Sequence, residues 1–157
     1  MITLLDNTVM SNFAVVKRPD LLCIAFGDTL ATPEQAFDEL ETGVHSGKLP
    51  NLDWQWLSVL ILEATEARRY HEFLVNLNAG EAACLAIAIT RKCRVLTDDR
   101  DARELARHLR IPLSGTLGVL TRLVDIGHLS LEDADALLLQ MITAGYHSPV
   151  TSLRNII

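Results

Sequence analysis

Short apolar runs alternate with helix-forming segments along most of the chain, and this alternation is the feature that most limits the possible folds. Each run has the length of a buried strand, and each is followed by a segment with helical composition. Strands that alternate with helices are typical of a mainly parallel sheet with helices on both faces. We therefore predict an α/β fold with three layers, α/β/α. The predicted strands are Met1–Leu5, Leu21–Ala25, Trp56–Leu62 and Cys93–Thr97.

Several of the predicted helices begin at residues that commonly open helices. Thr32 followed by Pro33 has the order of a cap and a first helical residue. Ser130, with Asp133 three residues later, resembles a capping box. Thr116 is the expected N-cap of the helix before that one. The predicted helices are Val9–Val16, Glu34–Glu41, Ala64–Val75, Glu81–Thr90, Ala102–Leu109, Leu117–Ile126, Leu131–Ala144 and a last short one from Ser148.

The composition favours one globular domain, residues 1–157, because 49% of the residues are apolar and no linker or repeat interrupts the chain. No apolar run reaches the roughly 18 residues of a membrane span, and the first residues lack the basic start of a signal peptide. Three cysteines without a CxxC pair indicate reduced thiols in a cytoplasmic protein. The net charge of −6 has the wrong sign for a general nucleic-acid binder. Contact with a polyanion would therefore need a local basic patch or bound metal ions.

Carboxylates stand where predicted strands end and in the helices that follow. Asp6 follows the first strand, Glu39 lies in the second helix, Glu81 opens the most apolar helix, and Asp98 and Asp99 follow the last strand. Because the carboxyl ends of parallel strands open onto one edge of a sheet, these acids can converge in one cleft. Close carboxylates must be neutralised by protons or by a hard cation, and an all-oxygen set favours Mg²⁺ or Mn²⁺. Such a site suits hydrolysis of a phosphodiester.

Each of these acids also has a purely structural interpretation. Asp98 or Asp99 could cap the next helix, and Glu81 could simply face the positive end of its helix dipole. Glu39 could be a solvated helix residue. Asp6 is the hardest to explain structurally, because a carboxylate after a buried strand is costly unless it is paired or bound to an ion.

Around these acids the sequence resembles the PIN-domain family of metal-dependent nucleases, which includes the VapC-type toxins of toxin–antitoxin pairs. LLDNTVMSNF resembles the family's opening strand, acid, hydroxyl and helix, and gives Asp6 and Thr8. ATPEQAFDEL and LNAGEAACLAIAI resemble the segments that carry the second and third acids, here Glu39 and Glu81. VLTDDRDAR resembles the strand end of the fourth acid, here Asp99. SGTLGVLTRLVDIGHLS is similar to a segment that marks a subfamily of predicted nucleic-acid-binding proteins.

The resemblance implies a three-layer PIN-like fold and a ribonuclease that depends on Mg²⁺ or Mn²⁺. It also implies a homodimer and an antitoxin protein as a partner. Asp6 and Asp99 would hold the metal directly, with Glu81 and Asp98 also at the metal. Glu39 and Glu81 would ligate through water or deprotonate the attacking water. The hydroxyls of Thr8 and Thr97 would support the acids from behind.

An arginine stripe follows the last pair of acids. Arg100, Arg103, Arg107 and Arg110 are spaced three, four and three residues apart, so they share one helical face. This stripe could guide a phosphate backbone towards the acids. It could equally be a solvated face on which Arg100 and Glu104 balance each other, and the sequence favours that second interpretation.

Two other classes of function compete with a nuclease. A PIN-like fold without catalysis could act as a binding or interaction module. A phosphotransfer receiver domain also keeps acids and magnesium at a sheet edge, but it needs an acid pair after its first strand and a lysine after a late one. Here only Asp6 follows the first strand, and no lysine follows Lys92. A metal-dependent endoribonuclease is therefore the predicted function, with the silent module as the alternative.

Overall fold

The computed structural model describes the backbone of residues 1–157 and the side chains of residues 1–27 and 29–157. The strands are β1 (Thr3–Leu5), β2 (Leu30–Pro33), β3 (Ser58–Leu60), β4 (Arg94–Leu96) and β5 (Leu113–Ser114). They form one sheet in the order β3-β2-β1-β4-β5, in which every neighbouring pair is parallel. The predicted parallel α/β sheet is confirmed.

Eight α-helices flank this sheet within the described chain, together with 3₁₀ turns at Gly27–Thr29 and Leu153–Asn155. None of the described helices combines the length and the apolar content needed to cross a bilayer. The helices are α1 (Asn7–Val15), α2 (Asp20–Phe26), α3 (Glu34–His45), α4 (Ala64–Phe73), α5 (Ala79–Arg91), α6 (Arg100–His108), α7 (Thr116–Asp125) and α8 (Leu131–Thr143).

The side chains of the central strands alternate between two apolar clusters, one on each face of the sheet. Leu5 and Leu96 pack with buried residues of α1, α2, α3, α7 and α8. Leu4 and Val95, their neighbours in sequence, pack with α5 and α6 on the other face. Because successive residues of a strand point to opposite faces, each of these strands needs two consecutive apolar residues, which are Leu4 and Leu5 in β1 and Val95 and Leu96 in β4. The predicted three-layer arrangement is confirmed.

The strand order changes direction between β1 and β4. From β1 the chain builds β2 and β3 on one side of the sheet, and it then returns to place β4 and β5 on the other. In open α/β sheets, ligands bind outside the carboxyl ends of the strands at such a switch point. The backbone N–H of Asp6 donates to the carbonyl of Leu96 over 3.0 Å, which joins the two strand ends at this point.

One of the predicted strands is wrong, and two strands of the sheet lie where the sequence predicted none. The run Leu21–Ala25 belongs to α2, because it follows Pro19 and buries residues at helical spacing. A five-residue apolar run fits either period, so its sequence could not decide. The strand β2 lies instead at Leu30–Pro33, where the sequence indicated a helix start, and the two-residue strand β5 gave no periodic signal. The short helix predicted from Ser148 is the 3₁₀ turn Leu153–Asn155.

Candidate active site

Asp6 lies at the centre of the switch point, and only 1% of its surface is exposed. One of its carboxylate oxygens accepts a hydrogen bond from the backbone N–H of Asn7, so Asp6 caps α1. The other oxygen accepts from the hydroxyl of Thr97 over 2.8 Å and from that of Thr8 over 3.2 Å. Burial raises the pKa of Asp6 to about 6, although these hydrogen bonds lower it and the charge of Asp99 raises it further.

The hydroxyls of Thr8 and Thr97 link the ends of the two central strands. The Thr97 hydroxyl also accepts from the backbone N–H of Asp99, and the Thr8 hydroxyl accepts from the backbone N–H of Asp98. The two hydroxyl oxygens lie 3.4 Å apart. Through the two hydroxyls, the backbone that follows β4 is linked to the carboxylate of Asp6. Both threonines therefore lie behind the acids, where the family resemblance places them.

Asp99 caps a helix and also lies near enough to the other acids for its charge to act on them. One of its oxygens accepts from the backbone N–H of Ala102 over 2.9 Å, which makes Asp99 the N-cap of α6. Its charge also raises the pKa of Asp6 and of Glu81. A cap occupies one oxygen of a carboxylate, so capping does not remove Asp99 from the acid cluster.

Glu39 reaches the same place from α3. Its Oε1 atom is buried and has no hydrogen-bond partner among the described residues. Burial raises the pKa of Glu39 to about 7, the charge of Asp6 raises it further, and the Gly80 amide opposes the shift. A Cβ atom at position 80 would lie 1.9 Å from Glu39 Oε1 and 3.0 Å from the Cα of Ala36. The glycine therefore makes the space that this carboxylate occupies.

Glu81 lies at the start of α5 in a reciprocal capping box. Its backbone N–H donates to Asn78 Oδ1 over 2.9 Å, and its carboxylate accepts from the backbone and the side chain of Asn78. Burial raises the pKa of Glu81 to about 7, and the charges of Asp6, Asp99 and Glu39 add to the shift, whereas the Asn78 backbone lowers it. A helix-cap role and a place among the acids are again combined in one residue.

The four acids predicted as catalytic, Asp6, Glu39, Glu81 and Asp99, thus come close enough to affect one another's charge. Among the described residues, however, no three His, Cys, Asp or Glu side chains stand ready to hold one metal ion. The donor chemistry still fits a hard cation, because all donors are carboxylates and the buried Oε1 of Glu39 has no partner in the described chain. Magnesium in particular is held by one or two carboxylates and keeps several waters.

Asp98 points its carboxylate away from this cluster, into a polar bracket. Its two oxygens accept from the backbone and the hydroxyl of Thr116 and from the side-chain amide of Asn12. Burial raises its pKa, although these bonds and the charge of Arg103 lower it. A Cβ at Gly115 would lie 2.5 Å from Asp98 Oδ1, so the close approach depends on this glycine. We therefore leave Asp98 out of the ion-holding set proposed below.

The same bracket corrects the predicted start of α7. The N-cap is Gly115, and Thr116 is the first helical residue. Its hydroxyl donates to the carboxylate of Asp98, and its backbone N–H donates to the same carboxylate.

The arginine stripe divides into one structural and several exposed members. Arg103 donates through Nη1 to the carbonyls of Thr97 and Ser114, over 2.8 and 3.1 Å, and so holds the ends of β4 and β5 together. Arg100 and Arg107 are exposed. The face opposite the stripe is buried through Ala102 and Ala106, as the spacing predicts.

Two supporting residues were missed by sequence reasoning, Asn12 and Asn78. Asn78 stands three residues before Glu81, which is the spacing of a capping box with asparagine as the cap. The sequence therefore held a signal for it. Asn12 has no such local signal, because its partners Asp98 and Thr116 lie far along the chain.

A family model described as a PIN domain matches residues 2–157. No curated protein and no solved structure matches the chain.

Proposed function

Because the chain belongs to the PIN-domain family, we propose that it is a metal-dependent endoribonuclease that hydrolyses RNA phosphodiesters in the cytoplasm. PIN domains are generally nucleases and typically use divalent metals. We propose further that the protein is the toxin of a toxin–antitoxin pair and acts as a homodimer.

The observation that carries the proposal is the convergence of four carboxylates at the switch point between β1 and β4. Asp6, Glu39 and Glu81 all have a raised pKa, with burial as the largest cause and mutual repulsion as a further one. Buried acids that repel one another do not stabilise a fold. Each acid loses hydration on burial and then either stays protonated or carries a charge at a cost in free energy. Perturbed carboxylates in one place are a mark of a functional site.

Asp6 and Asp99 are the residues we propose to hold the cation, with Glu39 and Glu81 ligating directly or through water. Asp6 is fixed by three hydrogen bonds and Asp99 by its cap, so both present a defined direction to a bound ion. When bound, a divalent ion would neutralise the cluster and polarise the phosphate and the attacking water. Mg²⁺ and Mn²⁺ both suit an all-carboxylate set.

Glu39 and Glu81 are the candidates for accepting the proton of the attacking water. A general base works best when its pKa lies near the working pH, and both groups have a pKa of about 7 in the absence of an ion. A bound cation would lower these values by attraction. Glu39 Oε1 is the better acceptor atom, because both oxygens of Glu81 accept bonds from Asn78. The family resemblance implies products with a 5′-phosphate.

The test is cleavage of a mixed RNA pool by the purified protein with Mn²⁺ and with EDTA, using Asp99→Asn as the variant. Asparagine is as good an N-cap as aspartate, so this change removes the charge and keeps the start of α6. Asp101→Asn is the matched control, since it removes an exposed acid from the first turn of the same helix. We expect cleavage that requires Mn²⁺, disappears in Asp99→Asn and persists in Asp101→Asn.

The second candidate is a catalytically silent PIN-like module, and two observations favour it. Among the described residues, no three potential ligands stand ready to hold an ion. Asp99 is also the N-cap of α6, and Glu81 belongs to the capping box of α5. This module would give no metal-dependent cleavage, and Asp99→Asn would leave its behaviour unchanged. Cleavage that survives both EDTA and Asp99→Asn would also contradict the nuclease proposal, because it would not arise at this site.

The toxin role makes a separate prediction in cells. Expression of the wild-type chain should arrest growth, and expression of Asp99→Asn should not. Co-expression of a protein encoded beside it should relieve the arrest and co-purify with it. Normal growth with an active nuclease would instead indicate a housekeeping role in RNA processing.

A further inference from the structure

The carbonyl of Leu5, the residue before Asp6, accepts hydrogen bonds from two buried side chains. The hydroxyl of Thr32 donates to it over 2.7 Å, and the thiol of Cys84 donates over 3.8 Å. Thr32 in β2 is fully buried, and so is Cys84 in α5. Both donors therefore act on the backbone directly behind the central acid of the cluster.

Pro33 explains why a side chain has to bond this carbonyl. The backbone N–H of Asp6 points to β4, where it donates to Leu96, so the carbonyl of Leu5 points the other way, to β2. The strands β1 and β2 are parallel, and their register, continued by one residue, brings Thr32 opposite Leu5. In a parallel ladder the carbonyl would then accept from the next backbone N–H, but the next residue is Pro33, which has none. The hydroxyl of Thr32 supplies the missing donor.

The peptide group between Leu5 and Asp6 is thus held at both of its polar atoms. Its carbonyl is bonded to Thr32 in β2, and its N–H is bonded to Leu96 in β4 over 3.0 Å. Because a peptide group is planar, fixing these two atoms fixes its plane, and so the direction in which the Asp6 side chain leaves the backbone. Three hydrogen bonds to the carboxylate hold the far end of the same side chain.

The same carbonyl joins the elements that carry two other acids of the cluster. Thr32 lies two residues before α3, which carries Glu39, and Cys84 lies three residues after Glu81 in α5. Burial raises the pKa of the Cys84 thiol, and the charges of the nearby acids raise it further, so the thiol stays a protonated donor. The bond from Thr32 therefore ties β1 to the strand that leads into α3.

We propose that Thr32 is a positioning residue for the bound cation: through the carbonyl of Leu5, its hydroxyl fixes the direction from which Asp6 meets the ion. This role rests on the proposed metal-dependent function, in which Asp6 is a direct ligand. Removal of a group that orients a metal ligand without touching the metal typically changes affinity or activity by about 10- to 100-fold. Thr32 acts through one peptide group, so the lower end of that range applies.

The test follows the Leu5–Asp6 peptide group by NMR. The sequence contains two Leu–Asp pairs, Leu5–Asp6 and Leu52–Asp53. Protein labelled with ¹³C at the leucine carbonyls and with ¹⁵N at the aspartates therefore gives two signals in an experiment that correlates each carbonyl with the following amide. The Leu5–Asp6 signal reports the hydrogen bond and, during a Mg²⁺ titration, the affinity for the ion. The Leu52–Asp53 signal is the internal reference.

The variants separate the hydroxyl from the rest of the side chain. Thr32→Val removes the hydroxyl and keeps a branched side chain, whereas Thr32→Ser keeps the hydroxyl. Thr121→Val is the matched control, because Thr121 also donates to a main-chain carbonyl over 2.8 Å, on α7, which carries none of the four acids. A double variant, Thr32→Val with Pro33→Ala, returns a backbone N–H to the place where the ladder lacks one. Circular dichroism shows whether each variant is folded.

We expect Thr32→Val to shift the Leu5 carbonyl signal and to bind Mg²⁺ about tenfold more weakly than the wild type. Thr32→Ser and Thr121→Val should bind as the wild type does, and the double variant should recover most of the loss. A Thr32→Val protein with a shifted carbonyl signal and unchanged affinity would overturn the proposal. So would an unshifted signal, because the hydrogen bond would then be absent in solution. If Thr32→Val is unfolded, Thr32→Ser and the double variant decide: a carbonyl signal in the wild-type position should accompany wild-type affinity, and weak binding with that signal would overturn the proposal.

Failure of this role and failure of the nuclease proposal give different results. A wild type that neither shifts its Leu5–Asp6 signal with Mg²⁺ nor cleaves RNA would contradict both. A wild type that binds Mg²⁺ and cleaves RNA, beside a folded Thr32→Val that binds Mg²⁺ equally well, would leave the nuclease proposal intact and show that Thr32 does not position Asp6.

Discussion

Glu39→Gln should stabilise the metal-free protein at alkaline pH and lose this advantage at acidic pH. The pKa of Glu39 rises from its ordinary 4.5 to about 7 on folding, so the folded state holds a proton that the unfolded state releases between these values. The free energy of unfolding therefore falls as the pH rises from about 4.5 to about 7. For this single group the loss between about pH 5 and about pH 8 is on the order of 2 kcal/mol.

The neutral glutamine does not titrate, so the variant lacks this loss. Burying an amide without partners has its own cost, about 1–3 kcal/mol, but that cost is the same at both pH values and cancels in the comparison. The stability difference between variant and wild type should thus move by roughly 2 kcal/mol in favour of the variant, or by roughly 4–8 °C in Tm.

The assay is urea unfolding in EDTA at about pH 5, 6, 7 and 8, followed by circular dichroism. Glu41→Gln makes the same chemical change at an exposed position of the same helix, and its difference from wild type should stay constant over this range. A difference for Glu39→Gln that moves by less than about 1 kcal/mol would show that the carboxyl group is solvated or paired in solution, and our account of the acid cluster would be wrong.

Three further perturbations test the same structure. Mn²⁺ added at about pH 8 should raise the Tm measured by calorimetry more in the wild type than in Glu39→Gln, because the ion offsets a repulsion between carboxylates that the variant already lacks. Equal Tm shifts in the two proteins would contradict this expectation. Gly80→Ala should lower the free energy of unfolding in urea by about 1–3 kcal/mol and reduce any cleavage, because the added Cβ would lie 1.9 Å from Glu39 Oε1. A more stable variant, as alanine gives at an open helix position, would show that this space is not crowded. Arg91→Leu should lower the free energy of unfolding in urea by about 3–5 kcal/mol. The variant leaves the fully buried Glu66 carboxylate without Arg91, which donates to its two oxygens over 2.8 and 2.9 Å. A loss below about 1 kcal/mol would mean that Glu66 is hydrated or protonated in the variant at little cost in free energy.

The sequence predicted the parallel α/β fold because most helices have caps and spacing that leave little choice. The helix starts at Asn7, Glu34 and Leu131 lie within two residues of the predicted ones. The predicted cap of the second of these helices is wrong, because Pro33 is its N-cap and Thr32 lies in β2 with its hydroxyl bonded to the carbonyl of Leu5. The strands were less certain, because each has two to four residues in this fold. A run such as Leu21–Ala25 is too short to show a period, and only the packing of the whole domain makes it helical.

The acids of the site were predictable as residue types at strand ends and in the helices beside them, but their individual contacts were not. The sequence offers a helix cap as the structural alternative for Asp99 and the helix dipole as that for Glu81. In the structure Asp99 caps α6 and Glu81 belongs to the capping box of α5, and both residues interact through charge with the other acids. The contacts of Arg103 and Asp98 could not be predicted at all. Both residues lie beside the predicted acids in the sequence, but their partners Ser114 and Thr116 belong to later elements, and only the folded chain brings those elements near.

The pairing of β4 with β1 joins residues that are about ninety positions apart in the chain, and this has a consequence during synthesis. A growing chain that has reached the end of α5 already contains Asp6, Glu39 and Glu81. It still lacks Asp99, and the Thr97 hydroxyl that holds the Asp6 carboxylate. The cluster can therefore be completed only after most of the chain has left the ribosome. Under the proposed function, the chain would be unable to cut the RNA that surrounds it until the segment with Thr97 and Asp99 has emerged and paired with β1.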